Sequence, residues 1–164
     1  MKFKQLLLVT LLTLSFSATS QVNSHAIGVR LGGSHYGHYG GEISYQLGFG
    51  DKNRLELDLG ARNHKNWSHL GICAIYHWVW NITAGFNWYV GPGACLGNYR
   101  HKDWDERGFT LAIGGQIGIE YDFTEHGAPI QLSLDVRPMW GFLTYSDYDN
   151  FGYGSALGIR YVIP

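Results

Sequence analysis

The stretch Asn53-Arg-Leu-Glu-Leu-Asp-Leu-Gly-Ala-Arg62 decides how this chain folds. Leu55, Leu57, Leu59 and Ala61 alternate with Glu56, Asp58, Gly60 and Arg62. A period of two is a β-strand with one oily face and one charged face. In a soluble protein the leucines line the core and the charges meet water. In a membrane barrel the assignment reverses, and the charges point inward.

The rest of the chain bears on that choice. It has 164 residues, enough for one domain. Lys2 and Lys4 precede an apolar run over 6–16 and the small polar residues Ser17-Ala-Thr-Ser20. This is the layout of a secretory signal peptide, so residues 1–20 are expected to be cleaved and 21–164 to form the mature domain. The apolar run is too short to span a bilayer as a helix, and no later segment is long and apolar enough to do so. A net charge of −1 gives no footprint for nucleic acid. Charged residues are 15% of the chain, against about 25% in soluble domains. Aromatic residues are also 15%, and there are 23 glycines. Such a chain is not mainly surrounded by water.

Period-two alternation recurs to the C-terminus, predicting strands over 25–33, 41–49, 54–62, 69–80, 86–98, 109–122, 130–140 and 153–163. Connections 50–53, 82–86 and 123–129 are short. Those over 34–40, 63–68, 99–108 and 141–152 are longer and richer in charge, His and Tyr. Short turns at one end and long loops at the other are the layout of an outer-membrane barrel. The fold expected is all-β: a closed, antiparallel, up-and-down transmembrane barrel of about eight strands.

Three features place the polar face inside. Glycines share that face (Gly28, Gly60, Gly97, Gly118, Gly158), where a crowded lumen needs small residues beside large ones. Every lysine after residue 20 falls in a connection, whereas the polar-face cations are arginines, whose planar fork suits enclosed ion pairs. The charges also nearly balance: Arg30, Arg62, Arg137 and Arg160 against Glu42, Glu56, Asp58, Glu120 and Asp135. Enclosed charges must be paired, so these nine are expected to form a lumenal network. Trp78, Trp80, Trp88, Tyr45, Phe49 and Tyr121 sit near strand ends, as interfacial girdle residues do.

The segments Gly41-Glu-Ile-Ser-Tyr-Gln-Leu47, Trp88-Tyr-Val-Gly-Pro-Gly93, Gly118-Ile-Glu-Tyr-Asp-Phe123 and Leu132-Ser-Leu-Asp-Val-Arg-Pro138 carry a resemblance of pattern over almost all of 21–164. In these the chain resembles the small outer-membrane β-barrel family, the OmpA/OmpX-like eight-stranded barrels of Gram-negative bacteria. That resemblance implies an outer-membrane location with lipid as neighbour. It does not imply one function, because members serve as adhesins, anchors or lipid enzymes.

Proline cannot donate to a ladder, so a bulge is expected near Pro92 and a strand end near Pro138. If Ala84 centres its hairpin, paired positions sum to 168, and Cys73 faces Cys95 inside the barrel. Either a disulfide or two buried free thiols fits. His35, His38, His64, His69 and His101 fall in the longer loops, but no CxxC or HExxH spacing supports a metal. Ser68-His69 is an adjacent Ser–His pair at a loop–strand junction, but adjacent strand residues face opposite ways. No catalytic residue, cofactor or metal is therefore expected. The leading reading is a structural or surface-interaction barrel that meets an extracellular protein or ligand through its loops. A soluble exported barrel binding a small apolar ligand is the rival, and a lipid-modifying enzyme ranks third.

Overall fold

The computed structural model describes residues 22–34, 39–63, 67–101, 107–143 and 151–164. Eight strands run in chain order: β1 (His25–Ser34), β2 (Tyr39–Phe49), β3 (Asn53–Asn63), β4 (Trp67–Thr83), β5 (Phe86–His101), β6 (Arg107–Asp122), β7 (Ile130–Leu143) and β8 (Phe151–Ile163). Each pairs antiparallel with its sequence neighbour, and β1 closes the barrel against β8 from His25↔Ile163 to Ser34↔Gly154. Closure pairs the backbone groups that an open sheet edge would expose to lipid.

Three connections lie at one end. Gly50 (φ 69°) turns β2 into β3, and Ala84-Gly85 (Gly85 φ 72°) turns β4 into β5. A 3-10 turn, Thr124–His126, ends at Gly127 (φ 79°) before β7. These positive φ values suit glycine, which has no Cβ to clash. Residues 22–24 cross the same end. The Val22 N–H donates to the Asp51 carbonyl (3.0 Å), and the Gly48 N–H donates to that of Ser24 (2.9 Å). The opposite connections, 35–38, 64–66, 102–106 and 144–150, fall outside the described residues, as do 1–21.

The outward positions settle the opening question. Leu31 (63% exposed), Ile43, Leu59, Ile72, Ile117, Leu134 and Leu157 (65%) form an exposed apolar surface. Arg30, Glu56, Asp58, Glu120, Asp135 and Arg160 are buried. A soluble binder with leucines inside would have the opposite arrangement. Aromatic pairs gather at the short-turn end: Trp80 stacks on Trp88 at 4.4 Å between ring centroids, and Tyr121 meets Phe123 at 4.6 Å.

Both proline expectations are corrected. Ile75↔Gly93 and Trp78↔Val90 keep one register on either side of Pro92, so no bulge forms there. The proline instead faces outward, and the ladder lapses locally. Strand β7 continues past Pro138, which pairs with Tyr153. The irregularity in the β4–β5 register lies instead between Asn81 and Thr83, beside the turn.

The lumen is filled by interlocking large and small residues. A Cβ built on Gly118 would come within 2.5 Å of the Tyr89 ring and 2.8 Å of the Asp135 Cβ. One on Gly158 would meet the Ser133 hydroxyl at 2.4 Å and Arg160 Nη1 at 2.8 Å. At the mouth, Ala26, Val79 and Val162 are buried, giving the short-turn end a small apolar seal.

Two mutational tests follow from this geometry. Leu57→Arg places a guanidinium in the lipid-facing band and should cost about 2–4 kcal/mol of folding stability in vesicles. Lys52→Arg, in an exposed turn, should leave stability unchanged. Gly118→Ala overpacks the lumen and should cost about 1–3 kcal/mol. The comparison variant Gly41→Ala, where only Leu31 Cδ2 approaches (3.4 Å), should be tolerated. Urea unfolding in vesicles reads all four.

Candidate functional site

The strand period delivers one inward side chain every second residue, and closure aims eight such rows at one axis. The arginines among them are long enough to cross it. Arg30, from β1, pairs with Glu42 on β2 and reaches Asp135 on β7, to whose Oδ2 its Nε donates at 3.2 Å. Its guanidinium also lies 3.8 Å from both Glu56 and Asp58. Arg137 reaches back from β7, pairing with Asp58 and lying 3.3 Å from Glu42 and 3.5 Å from Glu56. Arg160 donates to Glu56 (2.9 Å), Ser44 (3.0 Å) and Ser133 (2.8 Å).

Glu56 is the hub. Besides Arg160 it accepts from Gln46 (2.6 Å) and Gln116 (3.2 Å), and Gln116 in turn accepts from Arg137 (2.8 Å). Gln46 is the cross-strand partner of Glu56 on neighbouring β2, whereas Arg160 and Gln116 reach it across the lumen from strands far apart in sequence.

A second group lies nearer the short turns. Arg54 faces Glu120 with both terminal guanidinium nitrogens, Nη1 and Nη2, at 2.9 and 2.6 Å. Its Nε donates to His77 Nδ1 (3.3 Å), and its charge lies 4.6 Å from the centroid of the Tyr89 ring. The Tyr89 hydroxyl donates to Asp135 (3.4 Å), linking the two groups. Below them, the Asn23 side chain donates to Asp122. Burial in low dielectric makes an unpaired charge costly, so the pairing is a condition of folding rather than an ornament.

Of the nine charges expected inside, eight take part in these ion pairs. The side chain of Arg62 lies outside the described residues; its backbone pairs with His69 on β4. The sequence reading missed Arg54, the partner of Glu120, although it shares the parity of Glu56 and Asp58 in the opening stretch. Tyr89, buried in the lumen, was also missed, although it shares the inward parity of Gly97 and Cys95 on β5.

Cys73 and Cys95 are cross-strand partners, joined by an S–S bond of 2.03 Å with Cα atoms 4.1 Å apart. Of the five histidines assigned to the loops, only His69 has its side chain among the described residues. His69 is an inward residue of β4, 3.1 Å from the Thr110 hydroxyl, in keeping with the strand expected from 69 and not with a loop position. His35, His38 and His64, and the side chain of His101, lie outside the described residues. Ser68 and His69 are consecutive residues of β4 and so face opposite sides of the wall. Among the described residues, no three His, Cys, Asp or Glu side chains gather as a metal site.

No family model matches the chain, and no curated protein matches its sequence. Solved structures do match in fold. Neisserial surface protein A is similar at 16% identity over 85% of this chain and 95% of its own, with a TM-score of 0.63. The N-terminal β-barrel domain of Pseudomonas aeruginosa OprF is 20% identical over 85% and 98%, with a TM-score of 0.57. Ail, the attachment invasion locus protein of Yersinia pestis, is 13% identical over 85% and 96%, with a TM-score of 0.53. The fold is that of the small eight-stranded outer-membrane β-barrels.

Arg137→Ala tests the network. It strands Asp58 and weakens the neutralisation of Glu42 and Glu56. The expected loss is about 3–5 kcal/mol if the lumen stays dry, and less where water enters. Arg137→Ala/Asp58→Ala should recover part of that loss, because it removes the stranded charge. Equal unfolding midpoints for Arg137→Ala and the unaltered protein would dismiss the network as a contributor.

Proposed function

We propose that this protein is an exported outer-membrane barrel, closed to ion flow, that presents its longer loops at the cell exterior as an interaction surface. Residues 1–20 serve in this reading as the cleaved export signal. The observation that carries it is the lumen. An eight-stranded barrel is just wide enough to be filled by side chains, and here buried ion pairs cross it, Arg137 on β7 meeting Asp58 on the opposite wall, β3. A barrel built to conduct needs a continuous wet path, and an integral barrel without one exposes only its ends to water. The short-turn end offers little surface, so the working surface falls to the end where the long connections cluster.

Two of the similar structures are a surface protein and an attachment invasion locus protein by name, which supports an outward-facing role. No arrangement among the described residues favours catalysis over this reading.

Two measurements test it. In planar bilayers the purified protein should show no steady conductance steps; large, lasting openings would replace the closed barrel with a pore. Protease applied to intact cells should cut within 99–108 and leave the turn at 50–53 protected. Cleavage only after the outer membrane is broken would invert the orientation.

A further inference from the structure

The Cys73–Cys95 bridge faces the lumen of the finished barrel. Cys73 alternates in step with buried Ile75 and His77 on β4, and Cys95 with buried Tyr89 on β5. Within the wall the pair is flanked by Asp58 on β3 and Ala112 on β6. Toward the short-turn end the next inward pair is Ile75 and Gly93, where a Cβ on Gly93 would come within 2.6 Å of Ile75 Cγ1. Toward the long-loop end it is Gly71 and Gly97, and the His69 ring lies over both. A Cβ on Gly97 would meet His69 Nε2 at 2.5 Å, and one on Gly71 would meet His69 Cε1 at 2.9 Å. The two cysteines are half-buried rather than sealed, so what excludes a protein from them is the width of the barrel.

A disulfide forms by exchange, in which one thiolate must touch a sulfur of the oxidant. An eight-stranded lumen is just wide enough for its own side chains, and a folded oxidase is far larger. Such an enzyme meets these sulfurs only while β4 and β5 stand as an open hairpin. That hairpin can bring the cysteines together without the rest of the barrel, because they are 22 residues apart and a short loop is cheap to close. Register decides whether they meet, since a slip of one residue would turn one sulfur to the other face. The ladder leaves the Ala84-Gly85 turn, runs to Trp78↔Val90, lapses beside Pro92 and resumes at Ile75↔Gly93. Proline has no N–H to give, so hydrogen bonds do not carry the register across that gap. The bridge stands just beyond it, at Cys73↔Cys95, and supplies the register covalently.

We propose that Cys73 and Cys95 are the substrate site of a periplasmic thiol–disulfide oxidase, and that the barrel closes around a bridge already made. One cysteine thiolate attacks the enzyme's disulfide to give a mixed disulfide. The other cysteine, losing its proton, attacks the first sulfur and expels the enzyme's thiolate. The chain gives up two electrons and two protons, and the enzyme leaves as a dithiol. The chain holds no third cysteine, so no wrong pairing competes within it. Hairpin β4–β5 then reaches the membrane with its register fixed. The enzyme's compartment rests on the export proposed above, whereas its exclusion from the closed barrel does not.

The test sets one oxidant against two states of the full chain. Reduced chain is either folded into phospholipid vesicles or kept unfolded in dilute urea, and both receive the same oxidised thioredoxin-fold oxidase. Free thiols are then counted by maleimide mass tagging after denaturation. The unfolded chain should be oxidised at least about tenfold faster, because exchange follows access. Failure of the reduced chain to fold where the oxidised chain folds would also place the bridge before closure. A folded, reduced barrel oxidised as fast as the unfolded chain would overturn the proposal. In cells, pulse-labelled chain should carry the bridge before it gains the protease resistance of the closed barrel. A protease-resistant chain that still has two free thiols and is oxidised later would overturn the proposed order.

Discussion

The fold depends on one constraint: charges enclosed in a narrow lumen must find partners there. Glu56 is the clearest case. It is fully buried, and Arg160, Gln46 and Gln116 all donate to it. The arginine comes from β8 and Gln116 from β6, neither of which pairs with β3, so satisfying one carboxylate fixes the relation of strands far apart in sequence. The outward leucines cannot do this, because lipid is as apolar as they are and gives no preference for one neighbour over another. Burial of apolar surface sets which face is out, and the ion pairs set how the walls meet.

Glycine is what allows the network to fit. Tyr89 and Asp135 converge where Gly118 contributes only backbone, and Arg160 extends over Gly158. The same residues weaken a solvated strand, so their number looks like a liability until the inside is known. The arginines of the lumen and those of the outer rim also differ in setting. Arg30, Arg137 and Arg160 are buried and paired with carboxylates, whereas Arg100 and Arg107 are exposed cross-strand partners on β5 and β6.

Much of this was legible in the sequence because a period of two is a strict code. All eight strands were read near their places, and parity alone put Glu56 and Asp58 inside and Leu57 outside. Cys73 and Cys95 were paired by hairpin arithmetic for the same reason. Partner choice was less accessible, since parity gives a face but not a depth. Arg54 at the first turn of β3 could not be matched to Glu120 near the end of β6 without the barrel's stagger. Strand ends were also read short: Arg100 and Arg107 looked like loop residues because charge and tyrosine dominate around them. Pro92 and Pro138 were over-read as breaks, because an outward proline in a closed wall costs a ladder bond locally without displacing the register.

The central claim is that the apolar face meets lipid and the charged face is sealed inside. Nitroxide labels at Leu132, Leu134, Val136, Leu157 and Ile159, introduced singly as cysteines, test it in phospholipid vesicles. The two native cysteines are already joined and leave the label one target. Oxygen partitions into the bilayer and a chelated nickel complex stays in water, so their collision rates separate the two environments. The account predicts that all five positions collide more with oxygen, most strongly toward the middle of each strand. Labels that collide mainly with the nickel complex would place these residues against water and contradict the fold's inside-out arrangement.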